Sequence, residues 1–335
     1  MVLPSPLWHK PLESVMSKYL FLGVLGLLTL LSPFVGSIDI DFNTLFEINS
    51  ISHQVFFQLR LPRLILAFSS GVLLALSGWL FQTLFRNALM TPYTLGISGG
   101  AVLGTGIATV LGLNTLFFGI SLSGLFGFGG ALSSVLLLLW LSRYLPNREG
   151  NALLLLGIAL SFFFSASLMV LFSIASAMES HSILLYTMGS LSTIGYAQAL
   201  TLVVSSSVLL LFLYTKRFEL SLLGINEEHA SLKGVDTKKL TLLLLIISSF
   251  VIGVAISITG PIGFVGLIIP HMVRKLYKKA NHNLILATAL FGGLFLAACD
   301  TISRSFPLQS DIPIGIVTAF IGGPFFIYLI LKGKK

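Results

Sequence analysis

Gly260-Pro261-Ile262-Gly263-Phe264-Val265-Gly266-Leu267-Ile268-Ile269-Pro270-His271-Met272-Val273-Arg274 is apolar enough to lie in a membrane, yet it carries three glycines and two prolines. A plain spanning helix needs no such punctuation. Broken backbone at membrane depth is tolerated only where protein or a water-filled cavity re-satisfies its N–H and C=O groups. The stretch therefore reads as a break packed inside a helical bundle or lining a path through it. His271 and Arg274 mark its end.

The rest of the chain supplies the bundle. Of 335 residues, 55% are hydrophobic and 10% charged, against about 25% charged in a soluble domain. Mean hydropathy is +0.97. The net charge of +8 lies in short clusters between apolar runs, a pattern of loop charges that orient a membrane protein rather than of a nucleic-acid-binding stripe. The single cysteine, Cys299, allows no intramolecular disulfide. Apolar runs of roughly 20 residues, the length that spans a bilayer, cover 19–35, 63–85, 93–113, 115–141, 152–174, 196–214, 240–258, the quoted stretch, 284–303 and 312–331. The expected fold is an all-α polytopic bundle of about ten spans. Residues 1–18 form a cytoplasmic segment and 19–335 one transmembrane domain. Run 19–35 can be read as a signal peptide ending near Val35-Gly36-Ser37. The length of chain before it and the many spans after it favour an uncleaved span.

An even number of spans places both termini on one side. With the N-terminus inside, all but Arg60, Arg63 and Arg304 of the 20 basic residues fall on the cytoplasmic side, as the orientation rule requires. Spans 2–5 and 7–10 are offset by an odd number, so if they are copies they form an inverted repeat. Gly96, Gly100 and Gly104 recur four apart, a helical face that lets a neighbour approach closely.

No phosphate-binding loop of the Gly-x-x-x-x-Gly-Lys-Ser/Thr kind, no metal-ligand spacing and no nucleophile triad stands out. No enzyme activity, metal or cofactor is expected. Asp300 is the one candidate intramembrane carboxylate. Such a charge costs about 2.5–3.5 kcal/mol at mid-bilayer and is kept for pairing or proton work. It precedes Arg304 by four residues, which favours a helical ion pair over a proton relay. The energy source is then a separate protein. The polar loop 216–239 offers it a surface. Asn226 can cap a short helix, Glu227 and Glu228 suit its first turn, and Gly234 can end it. That predicts a helix over about Glu227–Lys233, serving either as a solvated connector or as a docking element. Arg60, Arg63 and Arg304 suit either snorkelling at the outer interface or bidentate pairing with a partner's carboxylates. His271 reads as an interfacial or hydrogen-bonded residue, not a metal or haem ligand. Residues 175–192 read as a polar connection.

Leu59-Arg60-Leu61-Pro62-Arg63, followed by Gly71, Ala75, Ser77-Gly78, Gln82, Arg86-Asn87, Pro92, Leu95-Gly96 and Gly100-Ala101, resembles the first signature of the FecCD-type permease family. Gly263 to Arg274 resembles the second. Asp300, Arg304, Ile312-Pro313-Ile314-Gly315, Thr318, Gly322 and Pro324-Phe325-Phe326 resemble the third. These are membrane subunits of ABC importers for iron–siderophore complexes, haem and cobalamin. The resemblance implies a homodimer in the bacterial inner membrane with the pathway between subunits, two ATPase subunits inside and a substrate-binding protein outside. It implies that Arg60, Arg63 and Arg304 dock acidic residues of the binding protein. It also implies that Gly224, Asn226, Glu227, Glu228, His229, Ala230, Leu232 and Gly234 belong to the element that couples to the ATPase. Lys233 stands where the family often has an apolar residue. Gly263, Gly266, Pro270, His271, Arg274 and Asp300, with Gly96, Gly100 and Gly104, are left as structural or gating residues. The leading expectation is a permease for a ferric chelate. The alternatives are haem or cobalamin by the same machine, and, in a different class, a secondary transporter or channel working alone.

Overall fold

The computed structural model describes residues 23–36, 38–48, 50–113, 116–117, 120–144, 150–277, 283–306 and 311–332. Segment 1–18 and the basic positions Arg148, Lys278, Lys279, Lys334 and Lys335 lie outside them. Nearly all of the described chain is helical.

Helix α1 (Gly23–Phe34) leads to a continuous helix, Ile51–Leu84. The latter comprises α2 (Ile51–Gln54), a π turn (Val55–Arg60) and α3 (Leu61–Leu84). Then come α4 (Ile97–Val110), a two-stranded antiparallel hairpin of β1 (Leu116–Phe117) and β2 (Ile120–Ser121), α5 (Leu122–Leu141), α6 (Gly150–Ile174), α7 (Ala177–Met188) and α8 (Ala197–Thr215). Two short helices follow, α9 (Arg217–Ile225) and α10 (Glu227–Leu232), before α11 (Thr237–Thr259), α12 (Val265–Leu276), α13 (Asn283–Ser305) and α14 (Ile314–Lys332). Among the described residues six helices are long and apolar enough to cross a membrane, and α1, α4 and part of α14 form shorter apolar helices.

The bundle is organised around α3. The most apolar part of Ile51–Leu84 is 83% buried, against 17% for the corresponding part of α6. Small residues explain this, because between membrane helices close backbone approach replaces the hydrophobic drive. A Cβ on Gly71 would sit well inside 3.0 Å of Gly292 O in α13, and one on Gly78 equally close to Gly266 O in α12. Gly100 and Gly104 of α4 meet Gly130 O and Phe126 O of α5 in the same way.

Three expectations are revised. Gly96 is not on that helical face: it precedes α4 with φ +79, a left-handed cap. Segment 175–192 is not a plain connection, because α7 occupies most of it, and a Ser176/Glu179 capping box starts that helix. The segment 216–239 is not one loop but α9, α10 and the first turn of α11.

Candidate functional site

The π turn builds the first site. Pro62 has no N–H to donate to Gln58 O, so the helix enters Leu61-Pro62 through a wider turn, with Leu61 N donating to Phe56 O. Two carbonyls left over in this turn are taken by the chain before α8. Gly195 N donates to Gln58 O (2.9 Å) and Tyr196 Oη to Phe57 O (2.7 Å).

This geometry delivers Arg60 and Arg63 to the C-terminal end of α13, where Asp300 and Arg304 wait. Arg304 Nε donates to Asp300 Oδ2 (3.0 Å), the i,i+4 pair that the spacing predicts. Arg63 Nε and Nη2 hold the other oxygen, Oδ1, at 2.9 Å. Arg63 Nη1 reaches on to Asp311 Oδ2 at 2.5 Å. Arg60 donates to Pro33 O (3.0 Å) and Ile38 O. Arg304 also donates to Ser32 O, Ser32 Oγ and Val35 O. The three arginines separated from all others by the charge pattern are thus one cluster. It ties α1, α3, α13 and the lead-in to α14 together. A cavity of about 640 Å³ opens beside it, lined by Ile38, Arg60, Arg63, Thr193, Arg304 and Asp311 among others. Asp311 was missed from sequence; it lies in no apolar run and carries no motif.

The break between Gly260 and Arg274 is a second feature. Helix α11 ends at Gly260 with φ +66, and α12 starts after Phe264, which holds φ +68 without being glycine. Helix α7 and its exit clamp this bend. Tyr186 Oη donates to Ile256 O (2.6 Å) and Ser190 N to Thr259 O (2.8 Å). A Cβ on Gly189 would come within 2.8 Å of Pro261 O. Gly322 of α14 leaves room for the Phe264 ring. Gly263 is not close-packed: no described atom lies within 4 Å of where its Cβ would be. Gly266 is, with Leu74 O at 2.8 Å.

Pro270, inside α12, cannot donate to Gly266 O. Gln82 of α3 does so instead, through Nε2 at 3.1 Å, and its Oε1 accepts from Arg274 Nη2. His271 is partly buried one residue beyond the proline. Gln82→Leu leaves that carbonyl and the Arg274 guanidinium unpaired. It is expected to cost about 1–3 kcal/mol, read as a lower melting temperature of the purified protein.

At the same end of α3 lie the two short helices. Asn226 Oδ1 accepts from Glu228 N (3.0 Å) and caps α10, which ends before Lys233 with Gly234 at φ +84. The helix read from 227–233 is present. The preceding α9 was missed, being too short and too polar to register as a run. Gly224 of α9 faces Thr83, and Leu220 and Leu223 anchor α9 in the core. Glu219 accepts from Lys216 Nζ (2.9 Å), which holds its carboxyl below the usual range. Thr237 Oγ1 donates to Glu227 Oε1 (3.2 Å), Ala230 is buried, and His229 lies exposed. Three large apolar side chains of these two helices are left outward, Phe218, Ile225 and Leu232, the last 82% exposed.

The model of the "FecCD transport family" matches residues 24–332. The chain is 36% identical over 321 residues to the "Hemin transport system permease protein HmuU" of Yersinia pestis, covering 93% of this chain and 94% of that protein. It is 34% identical over 339 residues to the "Molybdate import system permease protein MolB" of Haemophilus influenzae, covering 99% and 97%. A solved structure described as an inward-facing conformation of a putative metal-chelate type ABC transporter superposes with a TM-score of 0.80 at 30% identity, covering 93% of this chain and 99% of that one.

Proposed function

Because the chain belongs to the FecCD transport family and is a multi-pass ABC transporter permease, we propose that it carries a ferric chelate inward as one half of a homodimer. ATP is hydrolysed by separate subunits on the cytoplasmic face, and a binding protein delivers the cargo outside. The observation that carries this reading is a family match over nearly the whole chain in a sequence with no phosphate-binding loop of its own. The metal-chelate description of the solved relative supports the cargo class. The Yersinia relative makes haem the second reading.

The reading includes ten spans with both termini cytoplasmic, in the bacterial inner membrane. The inverted repeat is supported by exchanged contacts. Helix α3 packs on α12 and α13 as α11 packs on α4 and α5. Helices α4 and α12, third and eighth of the ten, each begin directly after a left-handed residue, Gly96 and Phe264. The exposed apolar face of α6 suits a second copy or lipid. Gly263, Gly266, Pro270, His271 and Arg274 serve as structural or gating residues beside the pathway. Arg60, Arg63 and Arg304 form the docking end for acidic residues of the binding protein. The end of α9 and the whole of α10, from Gly224 to Gly234, form the ATPase-coupling element, and outward Ile225 and Leu232 are the apolar contacts such a partner would cover.

Proteoliposomes test this. Uptake of a ferric chelate is expected only with ATPase subunits, binding protein and ATP present. Uptake driven by an ion gradient with this chain alone rejects it. A Leu232→Cys variant is expected to crosslink to the ATPase; full transport with no crosslink there removes the coupling assignment.

A further inference from the structure

The arginines of the cluster are not equally committed. Arg60 and Arg304 are each 6% exposed. Arg60 gives both terminal nitrogens to main-chain carbonyls, those of Pro33 and Ile38. Arg304 is spent on Asp300, Ser32 and Val35. Releasing either would strand buried polar groups, a cost that a surface contact does not repay. Arg63 differs. One edge of its guanidinium grips Asp300, which is fully buried, while Nη1 points away toward Asp311. The Asp311 side chain is 43% exposed and lines the cavity. Among the described contacts it holds Arg63 alone. Its carboxylate can leave without stranding a buried partner, and the arm it leaves behind faces the cavity.

Resting on the docking reading above, we propose that Asp311 occupies the seat on Arg63 that an acidic side chain of the external binding protein takes. Docking then exchanges one carboxylate for another. The charge-assisted bond broken offsets part of the one made, so Asp311 subtracts from the affinity that Arg63 offers the partner. A tethered competitor sits at high effective concentration and holds docking weak enough to reverse. Arg60 and Arg304 contribute the positive field and the frame and do not touch the partner.

The test uses the whole transporter, with its ATPase subunits, in lipid nanodiscs. The probe is the purified external binding protein that supports uptake in the proteoliposome assay, and affinity is read by biolayer interferometry at fixed salt. Asp311→Asn is expected to tighten binding about three- to tenfold, and Asp311→Ala to do the same. Arg63→Gln is expected to weaken it about tenfold or more. The double variant should bind as Arg63→Gln does, the gain being lost with the seat. Asp311 variants that bind no tighter, while Arg63→Gln binds weakly, overturn the exchange and leave docking at Arg63 standing. An Arg63→Gln transporter that binds like the wild type overturns both.

Discussion

Gly78→Val is expected to leave no folded transporter subunit. A Cβ at Gly78 would fall well inside 3.0 Å of the carbonyl oxygen of Gly266, and within 2.5 Å of its carbonyl carbon and Cα. All three atoms are backbone, so no side chain can rotate aside. Helix α12 would have to move off α3, and it is held there by the Gln82 bond to Gly266 O and by Leu74 O against Gly266. Overpacking at a site that can yield costs about 1–3 kcal/mol. This site cannot yield, and the cost belongs to the rare class above about 4 kcal/mol. Size-exclusion profile and melting temperature of the purified chain read it out. Gly129→Ala is the control: nothing lies within 4 Å of its Cβ position, and its melting should not change. A Gly78→Val protein with native melting would mean that the α3–α12 contact is wrong.

Asp300→Ala is expected to be nearly as damaging, for an electrostatic reason. Asp300 is fully buried and is shared by Arg63 and Arg304, one oxygen each. Removing it leaves two guanidiniums facing each other without the anion between them. Breaking a buried pair from one side costs about 3–5 kcal/mol. Asp300→Asn keeps the shape and one acceptor and should fall between wild type and alanine. Melting temperatures in the order wild type, asparagine, alanine would bear this out. Equal melting of wild type and alanine would show that the cluster is not what joins α3 to α13.

Much of this is legible in the sequence alone, for specific reasons. Arg60, Arg63 and Arg304 stood out because the orientation rule counts charges by side, and residues that break a rule together are often together in space. The Asn226 and Gly234 caps were legible because capping is local chemistry. The Asp300–Arg304 pair followed from helical spacing. What escaped lacked a local signature. Helix α9 is nine residues long with charges at its start, so no hydropathy window registers it. The Ser176/Glu179 box announcing α7 was readable but lay in a segment dismissed as a connection. Gln82 and Asp311 act on groups 184 and 248 residues away, and no periodicity encodes such distances. Gly100 and Gly104 were marked as packing residues, but the Gly71–Gly292 and Gly78–Gly266 contacts were not, since they are facts of tertiary structure.

The arrangement of Pro270, Gly266 and Gln82 also constrains how this sequence can change over time. While the proline stands, Gly266 O depends on an amide from another helix, so position 82 is not free to vary. If the proline is replaced first, residue 270 can donate to its own helix again, and substitution at 82 loses that part of its penalty. The two positions form an ordered mutational path, proline before glutamine, and the reverse order passes through a defective intermediate.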